Sequence, residues 1–504
     1  MTTIKYLSLT KWERFFVNLG NTVKGIGRGF VNFFKRIPGK FLRLFAKIAK
    51  PFDTLGEAWK KGSWGVRANF LVMGGYQLTH HQIARGVLYL LYQVVFIWFM
   101  FSSGFTFIGK LGTLGTFSPD SSYLSDPVEG VSLAVPGGDR SFSILLYAIV
   151  TFLLIGIFVV LWFYSIRDAK SLHDNICIGR YAKDSQFFHD ILDAKYHTLL
   201  LAVPLVGLVA FTVIPVIFMV VAGFTNYSGT QFYLFDWVGF ENYSGFFSSG
   251  NGSGLMTIFL KVLAWTLLWA LIATFTNYFL GMIVALLINK KGIKLKKLWR
   301  TVLILTIAVP QFVSLLLINQ MLASSGVLTN LFRDWGWIEG SQSAFENVLL
   351  ARVLIIIVNT WVGVPYTMLI CSGILMNIPE DLYESARIDG ASTFKMYTAI
   401  TLPYMLFITG PYLLSQFIGN INNFNIIYLL SQGQPSYGMS SLGFGDVGKT
   451  DLLITWIYKM SMEGQDKSYA VACALGVLVF IIIAIFSLVF YGNSNSVKNE
   501  EDFQ

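Results

Sequence analysis

The sequence contains little charge. Only 13% of its 504 residues are Asp, Glu, Lys or Arg, whereas 54% are hydrophobic and 16% are aromatic. The surface of a soluble domain is usually about 25–35% charged, so this composition excludes a single water-soluble fold. The apolar residues instead form runs of about 20 or more, long enough to cross a hydrocarbon core of about 30 Å. The sequence therefore predicts an all-α polytopic membrane protein.

Eight apolar runs predict about eight transmembrane helices. They cover residues 84–105, 142–166, 198–224, 262–289, 301–324, 347–376, 403–430 and 469–492. Fourteen basic residues precede the first run, and alternate loops after it add five, six and two. By the positive-inside rule, both termini are cytoplasmic. We attribute the net charge of +9 to this topology and to contact with anionic lipid, not to nucleic-acid binding.

Cysteine and histidine are also scarce. Cys177 falls in a cytoplasmic loop and Cys371 and Cys473 fall within predicted spans, which fits a reducing compartment without disulfides. The five histidines lack metal-ligand spacing, so we expect no metal site and no bound cofactor. No cleavable signal precedes the first apolar run, which we expect to act as an uncleaved anchor.

Carboxylates are missing from all eight predicted spans. Proton-coupled and many cation-coupled carriers need such groups inside the membrane. A secondary transporter is therefore disfavoured, although a cation-coupled sugar carrier stays open as an alternative because backbone carbonyls can bind sodium. We expect the energy for transport to come from another subunit, and we expect this chain to be no enzyme.

Residues 1–83 form a basic extension in which aromatic and aliphatic side chains alternate with Lys and Arg, most clearly between Phe30 and Lys47. This pattern is typical of helices that lie in the lipid headgroup layer. Two alternatives are a basic arm held near the membrane by topology alone and a binding surface for a cytoplasmic partner. The extension is followed by two accessory spans (residues 84–197), a core (198–492) and a cytoplasmic tail (493–504).

Residues 443–450 (GFGDVGKT) match the phosphate-binding loop of nucleotide-binding proteins letter for letter. Such a loop follows a buried strand and opens a helix within an α/β domain. Here the preceding residues 434–442 are polar and rich in turn formers, and the topology places the segment outside the cell. We interpret it as an external loop without nucleotide.

Residues 377–403 predict a short helix presented at the cytoplasmic face. Pro379 suits a first helical turn, Gly390 is a natural helix stop, and Ser392 can cap the next helix. The sequence of this loop, with 384–386 (ESA), Gly390 and 400–403 (ITLP), resembles the EAA loop of permease subunits of binding-protein-dependent ABC importers. Without the resemblance, a purely structural connector would be the favoured interpretation.

The resemblance extends to residues 359–366 (NTWVGVPY) and 420–424 (NINNF), which are similar to the MalF-type permeases of oligosaccharide importers. It implies a six-helix core of the type I ABC importer and a coupling role for Glu384, Ser385, Ala386 and Gly390. It also implies that one group of residues lines a sugar site. These are Trp361, Val362, Gly363, Tyr366, Gln416, Gly419, Asn420 and Asn423.

The chemistry of these residues fits sugar. Amides donate to and accept from hydroxyls, and Trp361 and Tyr366 offer flat faces to a pyranose ring. Asn420 and Asn423 are three residues apart, which predicts that they share a helical face. Interhelical hydrogen bonding for the amides and ordinary packing for the aromatic rings are the alternatives.

The resemblance also implies the partners. They are a MalG-like second permease, two MalK/MsmX-like ATPase subunits that bind the ATP, and an extracellular sugar-binding protein. The short outer loop after the third span and the basic extension resemble the Gram-positive branch, where that binding protein would be a lipoprotein. The expected function is import of oligosaccharides, most simply maltose and maltodextrins, across a bacterial cytoplasmic membrane, with galactoside, raffinose-type or polyol substrates as alternatives.

Overall fold

The structure is a computed structural model of the full chain. It describes residues 55–116, 123–125, 132–134, 139–179, 192–193, 196–247, 255–290, 292–438, 446–463 and 467–493. Most of these residues are helical, and they fall into two compact units that divide between Gly239 and Phe240. The basic segment 1–54 and the tail lie outside the described residues, so the predictions made for them stay predictions.

Besides a helical segment at residues 55–61, the described residues of the first unit contain seven α-helices. They are α1 Trp64–Ala68, α2 Gly75–Thr79, α3 Ile83–Phe99, α4 Phe105–Lys110, α5 Ser141–Cys177, α6 Tyr196–Leu208 and α7 Ile214–Ala222. Single π-helical turns continue α3 into α4 and α6 into α7. Two short antiparallel strands, β1 Tyr123–Ser125 and β2 Ser132–Ala134, pair with Leu124 opposite Leu133.

The segment just before the first span is folded onto α5. The Asn69 side chain donates to the carbonyl and the hydroxyl of Ser165 at 3.0 and 2.9 Å, and Tyr76 and Val66 pack with Ile166 in one apolar cluster. The Tyr76 hydroxyl lies 2.9 Å from Nδ1 of His173. His173 is therefore part of the packing between α2 and α5.

The second unit contains twelve α-helices in its described residues. They are α8 Glu241–Phe247, α9 Leu255–Asn289, α10 Lys296–Ala308, α11 Gln311–Leu322, α12 Val327–Asp334, α13 Val348–Leu375, α14 Glu380–Ile388, α15 Thr393–Met396, α16 Leu402–Ile421, α17 Phe424–Leu430, α18 Leu453–Met462 and α19 Tyr469–Asn493. A π-helical turn, Tyr397–Thr401, joins α15 to α16.

Seven helical segments of the described chain are long and apolar enough to span a membrane, and a bent pair brings the number to eight. This confirms the all-α polytopic fold. The seven are Ile83–Lys110, Ser141–Cys177, Leu199–Ala222, Met256–Asn289, Val348–Leu375, Thr393–Leu430 and Tyr469–Leu488. Several helices extend beyond the predicted apolar runs. The helix of the second span, for example, continues to Cys177 and so includes Asp168, which binds the Tyr89 hydroxyl at 2.9 Å.

The fifth predicted span is broken, which corrects the expectation of one continuous helix over 301–324. Helices α10 and α11 meet at an angle of 83°. Val309 is extended and Pro310 caps α11. Proline has no N–H to donate, and it disfavours helical backbone in the residue before it. The break therefore follows from Pro310, and it places the start of α11 beside the cavity described below.

Helix α9 is the centre of the second unit and packs mainly against α13 and α16. Trp269 is fully buried and donates its indole N–H to the Asn420 carbonyl at 3.1 Å. Close approach of α9 and α13 depends on Gly281, where a Cβ would lie 2.7 Å from that of Thr367. These contacts fix α13 and α16 on two sides of α9.

Candidate functional site

A cavity of about 540 Å³ lies among α9, α13, α16 and the broken helix pair α10–α11. This volume is within the usual range for small-molecule sites, about 300–1,000 Å³. The residues that line it are Asn277 on α9, Thr306, Ile307, Val309, Pro310, Gln311 and Ser314 around the break, Asn359, Trp361, Val362, Gly363 and Tyr366 on α13, and Gln416, Asn420 and Asn423 near the end of α16.

The structure brings seven of the eight predicted sugar-site residues to this one cavity. Gly419 is the exception, because it is exposed and lies away from the lining. Successive residues of an α-helix are about 100° apart around its axis, so Gly419 faces a different direction from its neighbour Asn420. Whether the other seven bind sugar stays a prediction.

Two aromatic side chains offer flat surfaces in the cavity. Trp361 is 51% exposed and Tyr366 is 50% exposed. Rings of this size are usually buried more completely in a packed core. About half of each side chain is therefore accessible, and both residues line the cavity.

The amides near the end of α16 each have a structural contact as well. Nδ2 of Asn420 donates to the Thr274 hydroxyl on α9 at 3.0 Å. Oδ1 of Asn423 accepts the backbone N–H of Ile426 at 3.4 Å and so caps α17. Asn420 thus makes an interhelical hydrogen bond, as the alternative interpretation of the amides predicted. At each residue the other amide atom, Oδ1 of Asn420 or Nδ2 of Asn423, can still bind a ligand.

The predicted reason for grouping Asn420 with Asn423 was wrong. Helix α16 ends at Ile421, and Asn423 has non-helical backbone (φ −77°, ψ 82°). The two side chains therefore do not share a helical face. They reach the same cavity because the chain breaks between α16 and α17.

The prediction missed several polar residues that line the cavity, namely Asn277, Thr306, Gln311, Ser314 and Asn359. A signal existed for Asn277, which is an amide within an apolar run and is costly to place in lipid. Asn359 lies in the motif at 359–366, yet was not assigned to the site. The residues near Pro310 could not be found because the fifth span was predicted to be straight.

The predicted coupling residues lie on α14 and in the turn after it. Glu384, Ser385 and Gly390 are exposed, and Ala386 is half-buried. Gly390 has φ +72°, a left-handed conformation that favours glycine and ends the helix. Pro379 precedes the helix as its N-cap and is not in its first turn, which corrects a detail of the prediction.

The coupling loop is held in place from its two ends. The Tyr383 hydroxyl lies 2.9 Å from that of Thr401 in the π-helical turn before α16. Ser392 accepts the backbone N–H of Lys395 at 3.3 Å, as expected for a helix cap. Ile388 and Phe394 remain 87% and 75% exposed. Two apolar side chains, Ile388 at the end of α14 and Phe394 on α15, are therefore available for contact with a partner.

The motif at 443–450 is described only from Asp446 onward. The Lys449 carbonyl accepts from Arg352 at 2.8 Å, and its ammonium lies 5.8 Å from the centre of the Tyr437 ring. Thr450 is fully buried, and its hydroxyl donates to the Gln434 carbonyl at 2.8 Å. In a phosphate loop, the Lys ammonium and the Thr hydroxyl face phosphate and Mg²⁺. Here they contact the protein, and no helix starts until Leu453.

A buried ion pair follows this motif. Lys459 lies 2.8 Å from Oδ2 of Asp451, and the two side chains are 6% and 0% exposed. Lys459 also donates to the carbonyls of Gln432 and Asp446 at 2.8 and 3.1 Å. Burial raises the pKa of the Asp451 carboxyl, and the Lys459 ammonium opposes this shift. The pair joins α18 to the segment between α17 and α18, and none of these contacts involves a residue of the cavity lining.

The described residues contain no group of three or more His, Cys, Asp or Glu side chains placed to hold a metal ion. Cys371 is buried and Cys177 is exposed, and neither forms a disulfide. The chemistry of the cavity is therefore that of amides, hydroxyls and aromatic rings.

Comparison with known proteins gives three results. Residues 277–494 match the family described as binding-protein-dependent transport system inner membrane component. The chain is 30% identical over 442 residues to the maltodextrin transport system permease protein MdxF of Bacillus subtilis, covering 86% of this chain and 95% of MdxF. It is 32% identical over 379 residues to the galactooligosaccharides transport system permease protein GanP of Bacillus subtilis, covering 72% of this chain and 85% of GanP.

One solved structure aligns with 62% of this chain and 99% of its own chain, at 21% identity and a TM-score of 0.48. It is described as a bacterial ABC transporter involved in the import of the acidic polysaccharide alginate.

Proposed function

We propose a substrate, a route and a set of partners for this chain, which belongs to the family of binding-protein-dependent transport system inner membrane components. As a multi-pass member of that family, it is a permease subunit of an ABC importer in the cytoplasmic membrane. Its substrate is an oligosaccharide, and maltodextrins are the favoured class. The 540 Å³ cavity is the point at which the sugar rests on its way across.

The lining of the cavity is the observation that carries this proposal. Trp361 and Tyr366 present half-exposed rings, which suit the C–H faces of a pyranose. Amides of Asn277, Asn359 and Asn420 line the same cavity and can donate to and accept from hydroxyl groups. The lining named above contains no Asp, Glu, Lys or Arg, so its polar contacts come from uncharged amides and hydroxyls.

The choice among sugars rests on the relatives. MdxF is named for maltodextrin and GanP for galactooligosaccharides. MdxF shares the longer alignment, so maltodextrin is the first candidate and a galactooligosaccharide the second. The cavity chemistry suits either, because both sugars present hydroxyl groups and apolar ring faces.

Energy for transport comes from partner ATPase subunits that dock on α14. The exposed side chains of Ile388 and Phe394 suit insertion into an apolar cleft, and the hydrogen bond between Tyr383 and Thr401 ties this helix to α16, which carries Gln416 and Asn420. Movement of α14 with the ATPase would therefore be passed to a wall of the cavity. A similar second permease completes the pathway, and an extracellular binding protein delivers the sugar. In a Gram-positive cell that protein would be a lipoprotein.

The test is reconstitution of the complex purified through a tag on this chain. Vesicles loaded with ATP are given, on the outside, the binding protein and either maltotriose or a galactooligosaccharide of equal length. We expect ATP-dependent uptake of maltotriose, with little uptake of the galactoside. Preference for the galactoside would replace the first candidate by the second, and uptake by this chain alone without ATPase subunits would contradict the importer mechanism.

A further inference from the structure

An apolar pocket of about 250 Å³ lies in the first unit, between the second and third membrane-spanning segments. Five side chains between residues 145 and 153 of α5 form one wall, and Ile217 and Val221 of α7 form the other. Leu111 and Trp237, from loops at one end of these helices, complete the lining. All of these residues are aliphatic or aromatic, and none belongs to the 540 Å³ cavity. The chemistry of the pocket therefore suits an apolar ligand.

The pocket lies at the depth of the outer leaflet. By the predicted topology, α5 begins on the outer side at Ser141 and α7 returns to that side at Ala222. The wall formed by residues 145–153 of α5 is about 12 Å long, at 1.5 Å per residue. One leaflet contributes about 15 Å to a hydrocarbon core of about 30 Å. The pocket therefore runs along most of one leaflet, beside the acyl chains of the lipids.

Hydrogen bonds between three loops fix the outer end of the pocket. Trp237 donates its indole N–H to the Leu111 carbonyl at 2.9 Å. The Ser141 hydroxyl donates to the Leu114 carbonyl at 2.7 Å and accepts the backbone N–H of Phe235 at 3.1 Å. Because the indole N–H is already bonded, the Trp237 ring offers apolar surface to a ligand. The walls of the pocket are therefore held together where the helices leave the membrane.

An empty gap of this kind is unfavourable, because the atoms that line it lack van der Waals partners on one side. Water does not fill it, since apolar cavities stay dry. The volume is below the usual range of about 300–1,000 Å³ for small-molecule sites. An α-helix, about 10–12 Å wide with its side chains, is too wide to enter. A single hydrocarbon chain fits both the width and the length.

We propose that this pocket holds one acyl chain of an outer-leaflet phospholipid, which fills the gap between the second and third spans. The residues at its outer end carry charges of both signs. Lys110 lies 2.6 Å from Asp139, and Arg140 and Asp236 are exposed. The acyl chain, and not the charge of the headgroup, therefore determines binding. The lipid joins an accessory span to the first span of the permease core.

The experiment fills the pocket from either wall, with Ala148→Leu on α5 or Ile217→Phe on α7, in the complex purified through a tag on this chain. Each complex is incubated with phosphatidylglycerol, and the lipids that remain bound are counted by native mass spectrometry. We expect one bound lipid fewer on each variant than on wild type. The same lipid should raise the Tm of wild type, because it binds the folded state, and should raise that of the variants less.

Gly156→Leu is the matched control. Gly156 lies on α5 outside the pocket lining, with open space where its Cβ would be. This variant should retain the wild-type number of lipids and the wild-type response of the Tm. Wild-type lipid counts in both pocket-filling variants would overturn the inference. Loss of another subunit from the tagged complex in those variants, with this chain still folded, would also overturn it, because the pocket would then receive a side chain of a partner protein.

Discussion

At the residue scale, the cavity combines groups that serve the fold with groups that serve a ligand, often within one side chain. Asn423 is the clearest case, because its Oδ1 caps α17 while the residue also lines the cavity. Asn420 similarly donates to Thr274 on α9. A substitution that removes the whole amide therefore tests two roles at once, and variants must separate them.

Asn423→Ala and Asn423→Ser make this separation. Loss of the cap in the alanine variant should cost about 1 kcal/mol of stability, whereas serine retains a cap and should keep most of it. Both variants lose Nδ2, so both should weaken sugar affinity. Measuring the Tm and the sugar affinity on the same preparation separates the capping role of Asn423 from its sugar contact. Normal affinity in the serine variant would show that Asn423 only caps α17.

Gly363→Ala should lower stability by about 1–3 kcal/mol through overpacking against the Asn277 amide. Adding Asn277→Ala removes the atoms that collide and should restore most of the Tm without restoring sugar affinity. A double variant no more stable than Gly363→Ala alone would show that the Asn277 contact is not the constraint at this position.

The residue chemistry of the site was largely readable from the sequence, but the reasons were only partly correct. Trp361 and Tyr366 were predicted from a motif, and they line the cavity as half-exposed rings. Asn420 and Asn423 were grouped by helical spacing, although the chain breaks between them. Asn277 was missed because it is far from the motif in sequence, and only packing of α9 on α13 brings it there.

At the scale of elements, the breaks in helices shape the cavity. Pro310 bends the fifth span by 83° and exposes Gln311 and Ser314 to the cavity. Hydropathy averages over a window and does not detect such a bend, so the sequence predicted one straight helix. The coupling helix was predicted more closely, because its Gly390 stop and Ser392 cap are local signals.

Glu384→Lys or Gly390→Pro should abolish uptake while membrane insertion and sugar binding continue. Gly390 has φ +72°, which proline cannot adopt because its ring fixes φ near −65°, so the exit of α14 must change. Uptake into vesicles and recovery of ATPase subunits with the tagged chain are the measurements. Normal uptake together with normal ATPase recovery would refute the coupling role.

The lysine of the phosphate-loop-like motif, Lys449, and the buried Lys459 after it should differ in effect. Lys459→Met leaves the buried Asp451 carboxylate without its partner and should destabilise the complex by about 3–5 kcal/mol. Lys449→Ala should leave ATP hydrolysis by the complex unchanged, because its ammonium faces Tyr437. Loss of nucleotide binding in the Lys449 variant would contradict our interpretation of the motif.

At the scale of the whole molecule, composition and charge predicted the fold class, and eight helical segments, one of them bent, match the eight apolar runs. The distribution of basic residues predicts cytoplasmic termini. In the proposed function, energy coupling is a property of the assembled complex, in which partner ATPase subunits hydrolyse the ATP. Its function must therefore be measured in the complex.

The most direct measurement of the central claim is the maltotriose affinity of the purified complex with and without Trp361. Removing the ring in Trp361→Ala should weaken binding roughly five- to 150-fold, equivalent to about 1–3 kcal/mol. Trp335→Ala is the control, because Trp335 is 55% exposed and lies outside the cavity lining, and its affinity should equal that of wild type. Equal affinity in wild type and both variants would contradict the account and place the sugar site elsewhere in the complex.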